Sequence, residues 1–189
     1  MRLVVAVTGA TGAVYAVRLL EALKEAGVEV HLILSHWAGE TLRLETGMGV
    51  EAVQSLAACC YQENDLAAAV ASGSFQHQGM VIIPCSMKTL AGIAHGYAAN
   101  LIMRAADVTL KEGRRLILVP RETPLNVIHL ENMLSLARLG VVIMPPMPAF
   151  YYRPRTVDEV VNHLVGRILD QLGLPHDLVP RWGGATNEE

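Results

Sequence analysis

Arg104 and Lys111 stand seven residues apart in the run Leu101 to Glu112, so two helical turns put both cations on nearly the same face. Paired cations of that kind can hold a phosphate, or stabilise one as it leaves an ester. The plainer alternative is a solvated stripe in which Asp107 or Glu112 neutralises them along the helix. A second candidate is Gly9-Ala10-Thr11-Gly12. Its small residues let the backbone approach an anion, while the N–H groups opening the next helix and the Thr11 hydroxyl supply hydrogen bonds. It matches neither the dinucleotide fingerprint nor the P-loop, and by itself it reads equally well as a tight strand-to-helix turn. Hydroxyls recur at Ser35, Ser86 and Thr89, at strand ends or early helix positions where they also serve as ordinary N-caps. Several such loops together suit a polar cofactor. Arg121-Glu122, Tyr151 and Arg167 would complete a phosphate pocket if the fold brings them together.

The elements that must position these groups follow from hydrophobic periodicity. Leu3 to Thr8 is a short β-branched run ending at glycine, Val14 to Ala26 repeats apolar residues at helical spacing, and Val30 to Leu34 is a second buried strand. This is a βαβ unit with parallel strands. Met80 to Ile83, Arg115 to Val119 and Val141 to Met144 are further strands, each followed by proline, and helices are expected over Leu101–Glu112, Leu130–Leu139 and Val157–Leu172. The stretch from Gly47 to Gln78 carries no clear pattern. Alternating strands and helices predict a single doubly wound parallel α/β sheet with helices on both faces. Its ligand belongs beyond the carboxyl ends of the strands. One domain is expected over 1–182, with 183–189 as a frayed polar tail.

Composition narrows the chemistry. A net charge of −3 with no basic run leaves no electrostatic footprint for nucleic acid. No apolar stretch reaches the ~20 residues needed to cross a bilayer. Three cysteines, two of them adjacent, argue against a disulfide framework and fit a cytoplasmic location. Cys85 reads as a small buried residue rather than a nucleophile. The histidines form no ligand-spaced pair and no D-D-x-x-D stretch occurs, so no metal is expected. No G-x-S-x-G elbow supports a serine triad. The hydrophobic fraction of 52% with only 17% charged residues predicts apolar surface covered in a homo-oligomer.

Taken together, Thr8 to Ala13, Pro84 to Leu90, Arg104 to Val108 with Leu110-Lys111-Glu112, Arg121 to Pro124, His129 to Leu134 and Pro145 to Tyr151 resemble the flavin prenyltransferase family of UbiX/Pad type, once described as aromatic acid decarboxylases. The resemblance runs through Arg181-Trp182 and rests on the combination, since each motif alone is weak. It implies a Rossmann-like or flavodoxin-like subunit in a homododecamer that joins a dimethylallyl group from dimethylallyl phosphate to reduced FMN, through N5 and C6, without a metal. The prenylated FMN is then passed to a separate decarboxylase.

Carried over by position, the resemblance implies FMN contacts at Gly9, Ala10, Thr11, Ser35, Ser86, Met87, Lys88, Thr89 and Arg121. It implies a prenyl-phosphate site at Arg104, Lys111, Glu122, Tyr151 and Arg167, with Glu45 and Trp182 lining the chamber; Glu45, Lys111 and Glu122 are the catalytic set. This chain departs from the family at Thr11, commonly serine, and at Ala16, often glycine. The nearest alternative is an FMN-dependent cysteine-type decarboxylase, which carries P-A-S-A-N-T where this chain has Pro84-Cys85-Ser86-Met87-Lys88-Thr89. A non-catalytic flavin-carrying subunit is the other, and intact Lys111, Glu122, Tyr151 and Arg167 speak against it.

Overall fold

The structure is a computed structural model that describes residues 1–181 and Gly183. Two compact units divide the chain, Met1–Pro146 and Met147–Glu189.

The first unit holds one six-stranded sheet in the order β3-β2-β1-β4-β5-β6, with every neighbouring pair parallel. The strands are β1 (Arg2–Val7), β2 (Glu29–Leu34), β3 (Cys59–Gln62), β4 (Gly79–Cys85), β5 (Arg115–Pro120) and β6 (Val142–Ile143). The chain starts at the centre, winds outward to β3, and returns past β1 to β4. The winding therefore reverses between β1 and β4, where the loops diverge and leave a crevice. Parallel strands need crossovers, and helices α1 (Ala13–Glu25), α2 (His36–Thr46), α3 (Val50–Gln54), α4 (Met87–Ala94), α5 (Leu101–Lys111) and α6 (Val127–Arg138) lie among them.

Alternation along the strands separates two buried faces. Val4, Ala6, Met80, Ile82, Leu116 and Leu118 share one cluster with Leu90 and Ile93 of α4 and Leu101, Ala105 and Ala106 of α5. Helix α1 packs on β2 and β4 and buries Ala16, Leu19, Leu20 and Leu23. Local chemistry sets the helix starts. Ser35, Ser86, Asn100 and Asn126 each accept a hydrogen bond from a backbone N–H of the first turn. Helix α6 begins at Val127, three residues before the expected Leu130, because Asn126 and His129 form a reciprocal capping box.

The stretch 47–78 resolves into α3, the edge strand β3 and a 3₁₀ turn at Ala69–Ala71. Strand β3 is mostly exposed, so it lacks the apolar run by which strands are read. Three arginines fasten the irregular segment that follows. Arg104 Nε donates to Ala71 O at 3.1 Å, Arg114 to Gly73 O and Phe75 O at 2.9 and 2.7 Å, and Arg2 to Gln76 O at 3.2 Å. Cys85 is fully buried, and desolvation pushes its thiol pKa far above the ordinary value, which leaves it without nucleophilic character.

The second unit is built on α7 (Val157–Leu172), capped by Thr156 and ended by Gly173 in the left-handed conformation. Among the described residues no helix is long and apolar enough to cross a membrane.

Candidate active site

A cavity of about 270 Å³ opens at the carboxyl ends of the strands, at the reversal between β1 and β4. Thr8 and Gly9 enter it from β1, Ser35 and Trp37 from the start of α2, and Ser86, Lys88 and Thr89 from the start of α4. Asn100 and Ile102 at the start of α5, and Glu63, close it. The loops are tied to one another. Thr8 Oγ1 donates to Pro84 O at 2.7 Å and accepts from Ser86 N at 2.9 Å, which ties the β1 loop to the β4 loop. Gly9 has no room for a side chain: a Cβ there would lie 2.4 Å from Trp37 Cβ.

Ser35 and Ser86 are both N-caps and cavity walls, so the two readings of these hydroxyls are not exclusive. Lys88 is exposed on the cavity side of α4, Thr89 is buried, and Met87 packs partly against the core. Hydroxyls, an ammonium and an amide converging on one crevice suit a phosphate ester of a polyol.

The N–H groups at the start of α1 are already engaged. Glu45, projecting from α2, accepts from Gly12 N at 2.9 Å, from Ala13 N at 2.7 Å and from the Thr11 hydroxyl. A carboxylate thus stands where the sequence placed a phosphate, and it satisfies the positive end of α1. Ser35, Ser86, Lys88 and Thr89 line the crevice itself, with Lys88 the one cation among its described walls. Gly12 makes the arrangement possible with φ 109, a conformation that side chains avoid. Ala10 lies half-buried beside this pair.

Arg104 and Lys111 take partners along their own helix. Arg104 donates to Asp107 Oδ2 at 2.8 Å, and Lys111 is paired with Glu112. Helix α5 starts at the cavity and runs back toward the opposite edge of the sheet. Thr109, near its end, reaches Met80 at the start of β4. Arg121 and Glu122 follow β5 at the carboxyl edge and are exposed, with Glu122 accepting from Thr123 N at 3.0 Å. Lys111 and Glu122 therefore sit at opposite ends of a six-residue strand, roughly 20 Å apart along it. The fold does not bring the two together within one chain.

In the second unit, Tyr151 and His163 Nε2 are hydrogen-bonded at 3.0 Å, and Tyr152 stacks on the same imidazole. Arg167 lies one turn along α7 from His163 and pairs with Asp170 at 3.2 Å. Burial, and after it the Arg167 charge, holds the His163 pKa below its ordinary value. The unfolded chain therefore binds this proton more strongly. The stabilising contribution of neutral His163 is complete above about pH 6.5 and is lost as pH falls through the lower folded value. Thermal midpoints measured from pH 7 down to pH 5 should fall less for His163→Gln than for the parent; parallel curves would exclude the effect. Trp182 lies outside the described residues. Among the described residues no group of three His, Cys, Asp or Glu side chains is placed to hold a metal ion.

Glu63, Asn100 and His163 emerge only from the fold, as does the place of Trp37 in the cavity wall. Asn100 carried a helix-start signal, whereas Glu63 had no local one. Glu63 accepts from His36 N at 2.7 Å and from Asn100 Nδ2 at 2.9 Å, joining the starts of α2 and α5.

The family model described as Flavoprotein matches residues 1–169. A Streptomyces protein named as a probable UbiX-like flavin prenyltransferase is 60% identical over 185 residues, covering 97% of this chain and 92% of that protein. The crystal structure of a dodecameric FMN-dependent UbiX-like decarboxylase from Escherichia coli O157:H7 superposes with a TM-score of 0.96 at 57% identity, covering 97% of this chain and all of that one. The structure of AnUbiX (PadA1) in complex with FMN and dimethylallyl pyrophosphate superposes equally well, TM-score 0.96 at 49% identity, over 98% of both chains. On this similarity, together with the crevice at the β1–β4 reversal, the chain belongs to the UbiX-like flavin prenyltransferase family.

Proposed function

We propose that this protein joins a dimethylallyl group to reduced FMN, taking it from dimethylallyl phosphate and releasing inorganic phosphate. The observation that carries this reading is the crevice itself: hydroxyls and Lys88 at one part, and the Thr11–Glu45 pair beside it. A 49%-identical relative bound to FMN and a dimethylallyl pyrophosphate supports it. The 57%-identical structure described as a decarboxylase supplies the competing reading, in which the protein itself decarboxylates a substrate.

Reduced FMN, when bound, supplies electron-rich N5 and C6 positions. Ser35, Ser86, Lys88 and Thr89 hold its phosphate, with Gly9, Ala10, Met87 and Arg121 along its length. Arg104, Lys111, Tyr151 and Arg167 hold the prenyl phosphate and take up charge as the allylic C–O bond breaks with its electron pair on the phosphate. Two bonds form to the prenyl carbons, at N5 and C6, and each position gives up a proton. One of these protons is matched by protonation of the prenyl double bond, and the other leaves with the phosphate. Glu45 and Glu122 carry these protons. Arg104, Lys111 and Arg167 supply the positive charge in this reading, which is metal-independent.

The functional domain is residues 1–182 with a tail at 183–189, acting as a cytoplasmic homo-oligomer, a dodecamer by analogy with the dodecameric relative. Neither nucleic acid nor membrane is a partner. The product goes to a separate decarboxylase.

Anaerobic incubation with reduced FMN and dimethylallyl phosphate should give extracted flavin heavier by one prenyl unit. Unchanged flavin, with an aromatic acid decarboxylated by this protein alone, would establish the competing reading. Lys88→Ala should weaken FMN roughly tenfold or more in a fluorescence titration and leave riboflavin unchanged, since the lost contact is a charge-assisted bond to phosphate. Equal losses for the two ligands would place the phosphate elsewhere.

A further inference from the structure

We infer that the indole of Trp37 is a binding wall for the flavin ring. This rests on the FMN reading above and adds to it a residue with no assigned role. Trp37 is held in place without being packed away. Its Cβ closes on Gly9, and Thr41 Oγ1 lies 3.0 Å from Trp37 O and 3.4 Å from Gly9 O, pinning the first turn of α2 to the β1 loop. His36 meets the indole only edge-on, with ring centroids 5.3 Å apart. The side chain nonetheless lines the cavity with Thr8, Gly9, Ser35, Lys88 and Thr89, and the residue is 65% exposed.

A fixed backbone sets the point from which the open aromatic face is presented, and an indole on only two rotatable bonds has little conformational freedom to lose when a planar ligand arrives. The other described cavity walls are short, polar or aliphatic, so among them Trp37 supplies the one large π-face for an isoalloxazine. The requirement for glycine at position 9 follows: a methyl group there would collide with Trp37 Cβ and displace the turn that carries the indole.

The test titrates the full-length protein with FMN and with lumiflavin, which keeps the ring and lacks both ribityl chain and phosphate. Trp37→Ala and Trp37→Leu should each weaken both ligands by roughly tenfold, the loss expected of a stacked aromatic contact, while Trp37→Phe stays within about threefold. Leucine keeps apolar bulk without a flat ring and guards against a general packing defect. Parental affinity in both the alanine and leucine variants would overturn the inference while leaving the FMN reading intact. So would a loss confined to FMN, or a change in sedimentation with unchanged flavin affinity, which would assign the indole to a contact between copies. Failure of the parent protein to bind FMN would instead overturn the FMN reading, and this inference with it.

Discussion

Glu45→Gln should lower the rate of prenyl transfer roughly 100-fold at saturating ligands while FMN affinity stays within about threefold. The carboxylate meets the loop whose Gly9 lines the cavity, its two oxygens accepting from Gly12 N, Ala13 N and the Thr11 hydroxyl. Glutamine is nearly the same shape and still offers one acceptor to those N–H groups, so the loop stays in place. What disappears is the negative charge and the capacity to take a proton while the ring closes. A smaller loss follows in stability, about 0.5–1 kcal/mol, because an anion at the start of α1 complements the helix dipole. The measurement is single-turnover formation of prenylated flavin under anaerobic conditions, alongside a flavin titration. A parental rate would remove Glu45 from the chemistry. A large loss of FMN affinity with an unchanged rate would make it a cofactor contact only.

The second large effect concerns cooperation between chains. Lys111→Ala alone should lower transfer at least about 100-fold, because the departing phosphate loses a fixed cation. Co-expressing that variant with Glu45→Gln should restore activity to roughly a quarter of the parent. The reason is geometric. Glu45 belongs to the carboxyl edge of the sheet, where it meets the β1 loop, whereas Lys111 ends α5 toward the opposite edge. If both serve one prenyl phosphate, Lys111 comes from a second copy, because the two lie toward opposite edges of the sheet within one chain. In a closed symmetric assembly of randomly mixed chains, about one site in four then receives an intact Glu45 from one variant and an intact Lys111 from the other. Mass spectrometry verifies co-assembly and flavin analysis reads the product. Co-assembled chains that stay as inactive as either variant alone would confine each site to a single chain.

Contact between copies would also cover the apolar face of α6, where Val127, Ile128, Leu130 and Leu134 lie largely uncovered. A 57%-identical relative is dodecameric, and an apolar face of this kind suits contact between copies.

The order of elements was legible because parallel strands buried on both faces read as continuous apolar runs. Leu3 to Val7 and Met80 to Ile83 are such runs, and both are fully buried. Helix α7 matched its expected limits, Val157 to Leu172, because Thr156 and Gly173 cap it at the two ends. Strand β3 is not legible in the sequence because an edge strand with exposed side chains has no apolar pattern to display. Hydroxyls at Ser35, Ser86 and Thr89 were visible as types and positions, and the crevice they line is where a doubly wound sheet must have one.

Spacing alone left the cations undecided. That Arg104 and Lys111 share a helix face follows from the 3.6-residue repeat, but the direction in which α5 runs relative to the sheet is a property of the crossover, and it carries Lys111 away from Glu122. Likewise Gly9 to Gly12 read as an anion loop from its own residues. The anion it holds is a carboxylate from α2, brought there from more than thirty positions along the chain. Sequence determines these groups and their local geometry because both depend on near neighbours. Which groups face one another depends on strand order and helix direction, and only the folded chain decides that.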